Sequence, residues 1–194
     1  MAKISTYAVV PSPASLNDML IGTNVANNNE TDNFKLSQVL SLYPLITQKA
    51  TLLSNATQTA AINTPTTVTF SSAPIATTGL TPLPTGTGPY TGIQIGNSGY
   101  YLVEFTATIL SLGAAGEVSA WLKVNSSNIG PAHVQSLIGG GYTTMTFSFI
   151  YNFTAADIVS IAWQTTNTNG TLGAIAAGVA RPLVPSAQIT ISQV

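Results

Sequence analysis

Gly99-Tyr100-Tyr101-Leu102-Val103-Glu104-Phe105-Thr106-Ala107-Thr108-Ile109-Leu110 carries an apolar residue at every second position from Tyr101 to Ile109. In an extended chain successive side chains point to opposite sides, so Tyr101, Val103, Phe105, Ala107 and Ile109 share one face. A period of two sustained over such a run predicts a half-buried strand. The same period recurs downstream. Val118, Ala120, Leu122 and Val124 line up with Trp121 and Lys123 opposite, and Met145, Phe147, Phe149 and Tyr151 share a face of Thr143 to Tyr151. Asp157 to Gln164 alternates Val159, Ile161 and Trp163 with Ile158, Ser160 and Ala162, and Ala187 to Val194 carries Ile189 and Ile191. Thr66 to Ser71 and Thr91 to Ile95 are two shorter candidates.

Turn-formers separate these runs: Pro82 to Pro89, Gly113 and Gly116, Asn125 to Pro131, Gly139 to Gly141, and Asn167 to Gly170. Short strands with this punctuation and no long helical pattern predict an all-β fold, an antiparallel β-sandwich. Tyr100, Leu102 and Leu110 lie beside Glu104 on the second face of the first strand. That face is too apolar for water alone and predicts contact with another subunit.

Composition sets the limits on chemistry. The 194 residues hold five basic and six acidic side chains, with a net charge of −1. Scattered basic residues exclude a phosphate-tracking surface, so no nucleic-acid partner is expected. Without cysteine there is neither a disulfide framework nor a thiolate metal site. The first residues lack the apolar core of a signal peptide, and Leu172 to Ala180 is too short to span a bilayer. These features predict synthesis in the cytoplasm and no membrane insertion.

Lys3, Asp18, Glu30, Asp32, Lys35 and Lys49 leave only five charges for the rest of the chain. The shift marks two parts, an N-terminal arm over 1–48 and a sandwich over 49–194. In the arm, Asp18 to Thr23 reads as a strand, Asn24 to Asp32 as a polar turn and Asn33 to Leu36 as the returning strand. Ser37 is placed to cap a short helix over Gln38 to Leu42, stopped before Pro44.

With its strands in place, the chain resembles the trimeric jelly rolls of phage and large-virus virions, which share the C1q and tumour necrosis factor shape. Gly99 to Phe105, Ala120-Trp121-Leu122-Lys123-Val124-Asn125, Phe153 to Trp163 and Pro182 to Ile191 carry the resemblance, in the family's order, over about residues 51–194. The family pattern places Asn-Gly after the tryptophan strand, where this chain has Asn125-Ser126. Asp18 to Thr23 with Asn33 to Leu36 is similar to the attachment module that opens many phage appendage proteins. The resemblance implies a homotrimeric virion component, a head fibre, capsid decoration or tail-appendage protein. It would dock on a capsid or tail protein through residues 1–48. The alternative it leaves open is a receptor-binding adhesin that contacts host surface glycan through distal loops.

No residues assemble into a catalytic arrangement, and none is assigned to a cofactor or metal. His133, the only histidine, has no serine motif or carboxylate cluster nearby in sequence, which predicts a structural or surface role. Asn27 to Asp32 offers oxygen ligands for calcium but lacks EF-hand spacing; a solvated turn is the expectation. Asp157 is expected to cap the turn before its strand. Glu104 is expected to pair with Lys123 or Arg181, within or across subunits. Trp121, Trp163, Tyr100, Tyr101, Phe147, Phe149 and Tyr151 are read as core or interface packing rather than a sugar platform. Loops at Pro82 to Pro89, Asn125 to Pro131 and Asn167 to Gly170 are the places for a receptor contact. A paired-carboxylate glycosidase is disfavoured, and the expected activity is assembly, not catalysis.

Overall fold

Alternating segments become strands throughout, and no helix occurs among the described residues. The computed structural model describes the backbone of residues 19–24 and 30–35, and residues 48–194 apart from 114, 138, 168, 169 and 180. The chain divides into two units, Met1–Ile46 and Thr47–Val194.

The first unit holds an antiparallel hairpin of β1 (Met19–Asn24) and β2 (Glu30–Lys35), with Met19 opposite Lys35 and Asn24 opposite Glu30. The polar turn is therefore shorter than expected. Glu30, Thr31 and Asp32 belong to β2, because the ladder keeps satisfying backbone groups as far as the Asn24–Glu30 pair. The helix expected over Gln38 to Leu42 lies outside the described residues, as do Asn27 to Asn29.

The second unit contains β3 (Lys49–Ser54), β4 (Thr66–Thr67), β5 (Ala76–Thr78), β6 (Leu80–Leu83), β7 (Gly92–Ile95), β8 (Gly99–Ser111) and β9 (Gly116–Val124). It continues with β10 (Ser127–Leu137), β11 (Gly141–Phe153), β12 (Ile158–Thr165), β13 (Gly170–Leu172) and β14 (Ala187–Gln193). One sheet runs β10-β9-β12-β7-β6, with β4 also on β12; the other runs β11-β8-β14-β3-β5, with β13 also on β8. All strand pairs are antiparallel, and the chain passes repeatedly between sheets, the jelly-roll arrangement.

The alternation read from the sequence is the core. Tyr101, Val103, Phe105, Ala107 and Ile109 are buried, flanked by Ile189 and Ile191 of β14, Ala50 and Leu52 of β3, and Met145 and Phe147 of β11. Val118, Ala120, Leu122, Val159, Ile161 and Trp163 are buried from the other sheet. Each large side chain so buried contributes about 1.5–3 kcal/mol. Conformational entropy offsets much of that sum.

One end of this core is polar. Gln48 is only 3% exposed, and its Oε1 lies 2.9 Å from the Tyr101 hydroxyl, which donates to the Asn97 carbonyl at 2.7 Å. The Gln48 carbonyl accepts from the Gln193 amide at 2.8 Å. Gly79, at φ +66°, leaves room for this side chain: a Cβ there would fall 2.8 Å from Gln48 Cγ. Burial pushes the Tyr101 phenol above its ordinary pKa, while the Asn97 hydrogen bond pulls the other way.

Two expected segments differ. Thr66 to Ser71 is not one strand: Val68 bonds to Ile161, then Phe70 turns to pair with Tyr90, so the backbone changes partner while both side chains stay buried. Asn125 to Pro131 is not an open loop. Asn125 and Ser126, at φ 49° and 70°, make a two-residue hairpin turn, and β10 starts at Ser127. Serine occupies a place where glycine would be unstrained.

Candidate interaction face

The residues of β8 between its core positions point away from the core and, with their neighbours, form the outer face of the sheet. Register sets Ile150 opposite Leu102, Ser148 opposite Glu104, Thr146 opposite Thr106 and Tyr142 opposite Leu110. Gln188, Thr190 and Ser192 of β14 and Lys49, Thr51 and Leu53 of β3 continue the same rows. Ile150 is 67% exposed, Tyr100 59% and Tyr142 50%, whereas the core-facing Tyr101 and Val103 of β8 are closed to water and Phe149 and Tyr151 of β11 are half-buried.

Two apolar clusters, Tyr100-Leu102-Ile150 and Leu110-Tyr142, thus flank a band of hydroxyls. Within the band Thr51 and Thr190 are hydrogen-bonded at 3.2 Å, and Thr106 and Thr146 at 3.3 Å. Glu104 is the one carboxylate on these rows and Lys49 the one ammonium. The apolar clusters of this face favour burial, while its hydroxyls and its two charges must find partners when water leaves.

The two long edge strands differ. β10 carries a register shift between Ile129 and His133, with Gly130 at φ +68° and Pro131 inside it, a device that blunts an open edge. Among the described residues β11 pairs only with β8, yet all of Gly141–Phe153 lacks proline and charge. An unguarded edge of that length is a template for another chain. His133 packs between the two edges, stacked on Phe147 at 4.5 Å and edge-on to Phe149 at 5.5 Å.

The other expected positions fall as follows. Trp163, Tyr101 and Phe147 are in the core, Phe149 and Tyr151 pack against it half-buried, and Tyr100 is exposed on the outer face. Trp121 is on the outside of its sheet but 8% exposed, its Nε1 donating to Asn128 Oδ1 at 2.9 Å. Asp157 does hold its turn: Oδ2 accepts from the Thr154 amide at 2.8 Å and Oδ1 from Asn125 Nδ2 at 2.7 Å.

Glu104 cannot pair with Lys123 inside the chain, because β8 and β9 lie in different sheets and both side chains point outward. The Arg181 guanidinium donates to the Ala176 carbonyl instead. Of the expected receptor loops, Asn125 to Pro131 reduces to its tight turn and an edge strand. Pro82 and Leu83 pair with β7 as part of β6, which leaves residues 84–89 as loop. Asn27 to Asn29 of the calcium candidate lie outside the described residues; among those described, no group of acidic or histidine side chains is placed to hold a metal. No described helix is long and apolar enough to cross a membrane.

Gln48 and Ile150 were not singled out by sequence reasoning. Ile150 had a signal, an apolar residue on the polar side of the Met145-Phe147-Phe149 alternation; Gln48 had none.

No protein-family model matches this chain, and no curated protein is similar to it in sequence. Solved structures share its shape. Murine APRIL superposes with a TM-score of 0.50 at 9% identity, covering 77% of this chain and 100% of its own. Eiger TNF from S. frugiperda gives 0.50 at 13% identity, covering 76% of this chain and 92% of its own. At these identities the likeness shows the fold: a C1q/TNF-like jelly roll.

Proposed function

We propose that this protein is a structural component of a virion, a homotrimeric head fibre, decoration or tail-appendage protein, attached to its particle through the N-terminal unit. Its action is assembly, with no catalytic step. The observation that carries this reading is the outer face of β8 and β11, where Tyr100 and Ile150 stand exposed around a half-buried Leu102, beside an unguarded edge strand. A second copy of the same chain removes both liabilities at once. Trimers are what the sequence resemblance implies, and contacts repeated by rotation close into rings. The near absence of charge over 49–194 suits a surface that packs against its own copies.

The hairpin unit supplies the attachment. A two-stranded hairpin is marginal alone and gains stability by docking on a partner. Removing residues 1–46, which spares the buried Gln48, is expected to leave the sandwich oligomer intact and to abolish incorporation into particles. Retained incorporation contradicts the attachment role.

A further inference from the structure

We infer that Glu104 of one copy pairs with Lys49 of the next, and that this pair sets the register of the assembly; the inference rests on the trimer reading above. Closing the outer face against another copy takes the Glu104 carboxylate out of water. A buried carboxylate without a cation costs several kcal/mol, on the order of the whole gain from burying one apolar side chain. An assembly through this face therefore needs a cation opposite Glu104.

The sandwich offers few. Lys123 points from the outside of the other sheet, and Arg181 lies between β13 and β14, off the strand rows of this face, where its guanidinium donates to the Ala176 carbonyl. His133 is stacked in the seam between β10 and β11. Lys49 remains, and it lies on the same face: it sits opposite Ser192, Ser192 sits opposite Leu102, and Glu104 is the next outward residue along β8. The acids divide the same way. Glu117 is on the other sheet, and Asp157 is held by Thr154 and Asn125, which leaves Glu104 as the anion for Lys49.

Within one chain the two do not meet. One strand lies between them, a lateral step of about 10 Å with a further ~7 Å along the strand. Among the described residues neither side chain makes a hydrogen bond or ion pair. Lys49 lies on the β3 side of the face and Glu104 on the β8 side, so the β3 side of one copy meets the β8 side of the next, a head-to-tail contact that a threefold rotation closes.

Charge reversal tests this. Sedimentation equilibrium on the full chain gives the concentration at which the trimer half-dissociates, for wild type, Glu104→Lys, Lys49→Glu and the double variant. Each single reversal is expected to raise that concentration about tenfold or more, since it sets like charges together, and the double variant is expected to return to within about threefold of wild type. Both side chains are exposed, so thermal unfolding should confirm that all four proteins fold. A wild-type trimer with indifferent single variants, or a double variant no better than the singles, overturns the pairing alone. A wild-type monomer overturns the trimer reading and the pairing with it.

Discussion

The two faces of the β8–β11 ladder share one backbone and one register, and differ in what they are built to meet. On the inner face Phe105 sits opposite Phe147, their rings 5.1 Å apart, closed off from water. One residue along, Glu104 sits opposite Ser148, and two further pairs outward from the centre come Leu102–Ile150 and Leu110–Tyr142. The inner face is completed by the chain's own second sheet. The outer face carries apolar groups, Tyr100, Tyr142 and Ile150, that the described residues leave exposed, and on the reading proposed above that asymmetry gives folding to one face and assembly to the other.

The contrast breaks first at the core. Phe105→Ala is expected to cost about 3–5 kcal/mol of folding stability, by lost transfer energy and a cavity, measured by denaturant unfolding. A loss below about 1 kcal/mol would mean that the inner face is not the folding core. Ile150→Asp should do the reverse, weakening association by about 2 kcal/mol per interface while folding stability moves by about 0.5 kcal/mol or less. Sedimentation and thermal unfolding on the same sample separate the two effects.

The polar end of the core gives a smaller, pH-dependent effect. The Tyr101 phenol is harder to ionise in the folded chain than its ordinary value of 10.0 allows. The stability it contributes is present below that value and falls as pH rises through the higher folded one. Tyr101→Phe is expected to lose about 1 kcal/mol at neutral pH, one net hydrogen bond, and to show a flatter decline above about pH 10. An equal decline in both proteins would assign the alkaline loss elsewhere. Smallest is the turn: Ser126→Gly relieves a positive φ and should raise stability by about 0.5 kcal/mol without touching assembly.

Much of this division was legible in the alternation. β8, β9, β11, β12 and β14 announce themselves because each turns every second residue toward the core, and Leu102 and Leu110 already marked an apolar second face. β10 gave no such signal. As an edge strand it buries little, and Gly130 and Pro131 read as a turn because their bulge interrupts the ladder. β3 was hidden by the charge shift at Lys49, which falls within the strand rather than before it. The Gln48–Tyr101 contact joins residues distant in sequence through hydrogen bonds that no periodicity encodes. Glu104 was visible as the lone carboxylate of its strand, but its partner could not be chosen until the register set Lys49 on the same face.

The mass of the protein in dilute solution bears most directly on the assignment of the outer face to assembly. Sedimentation of the wild-type chain at micromolar concentration should give three times the 20.0 kDa of one chain. The Ile150→Asp variant should fall to a single folded chain under the same conditions. A wild-type protein that sediments as one 20.0 kDa chain, with the outer face open to water, contradicts the account.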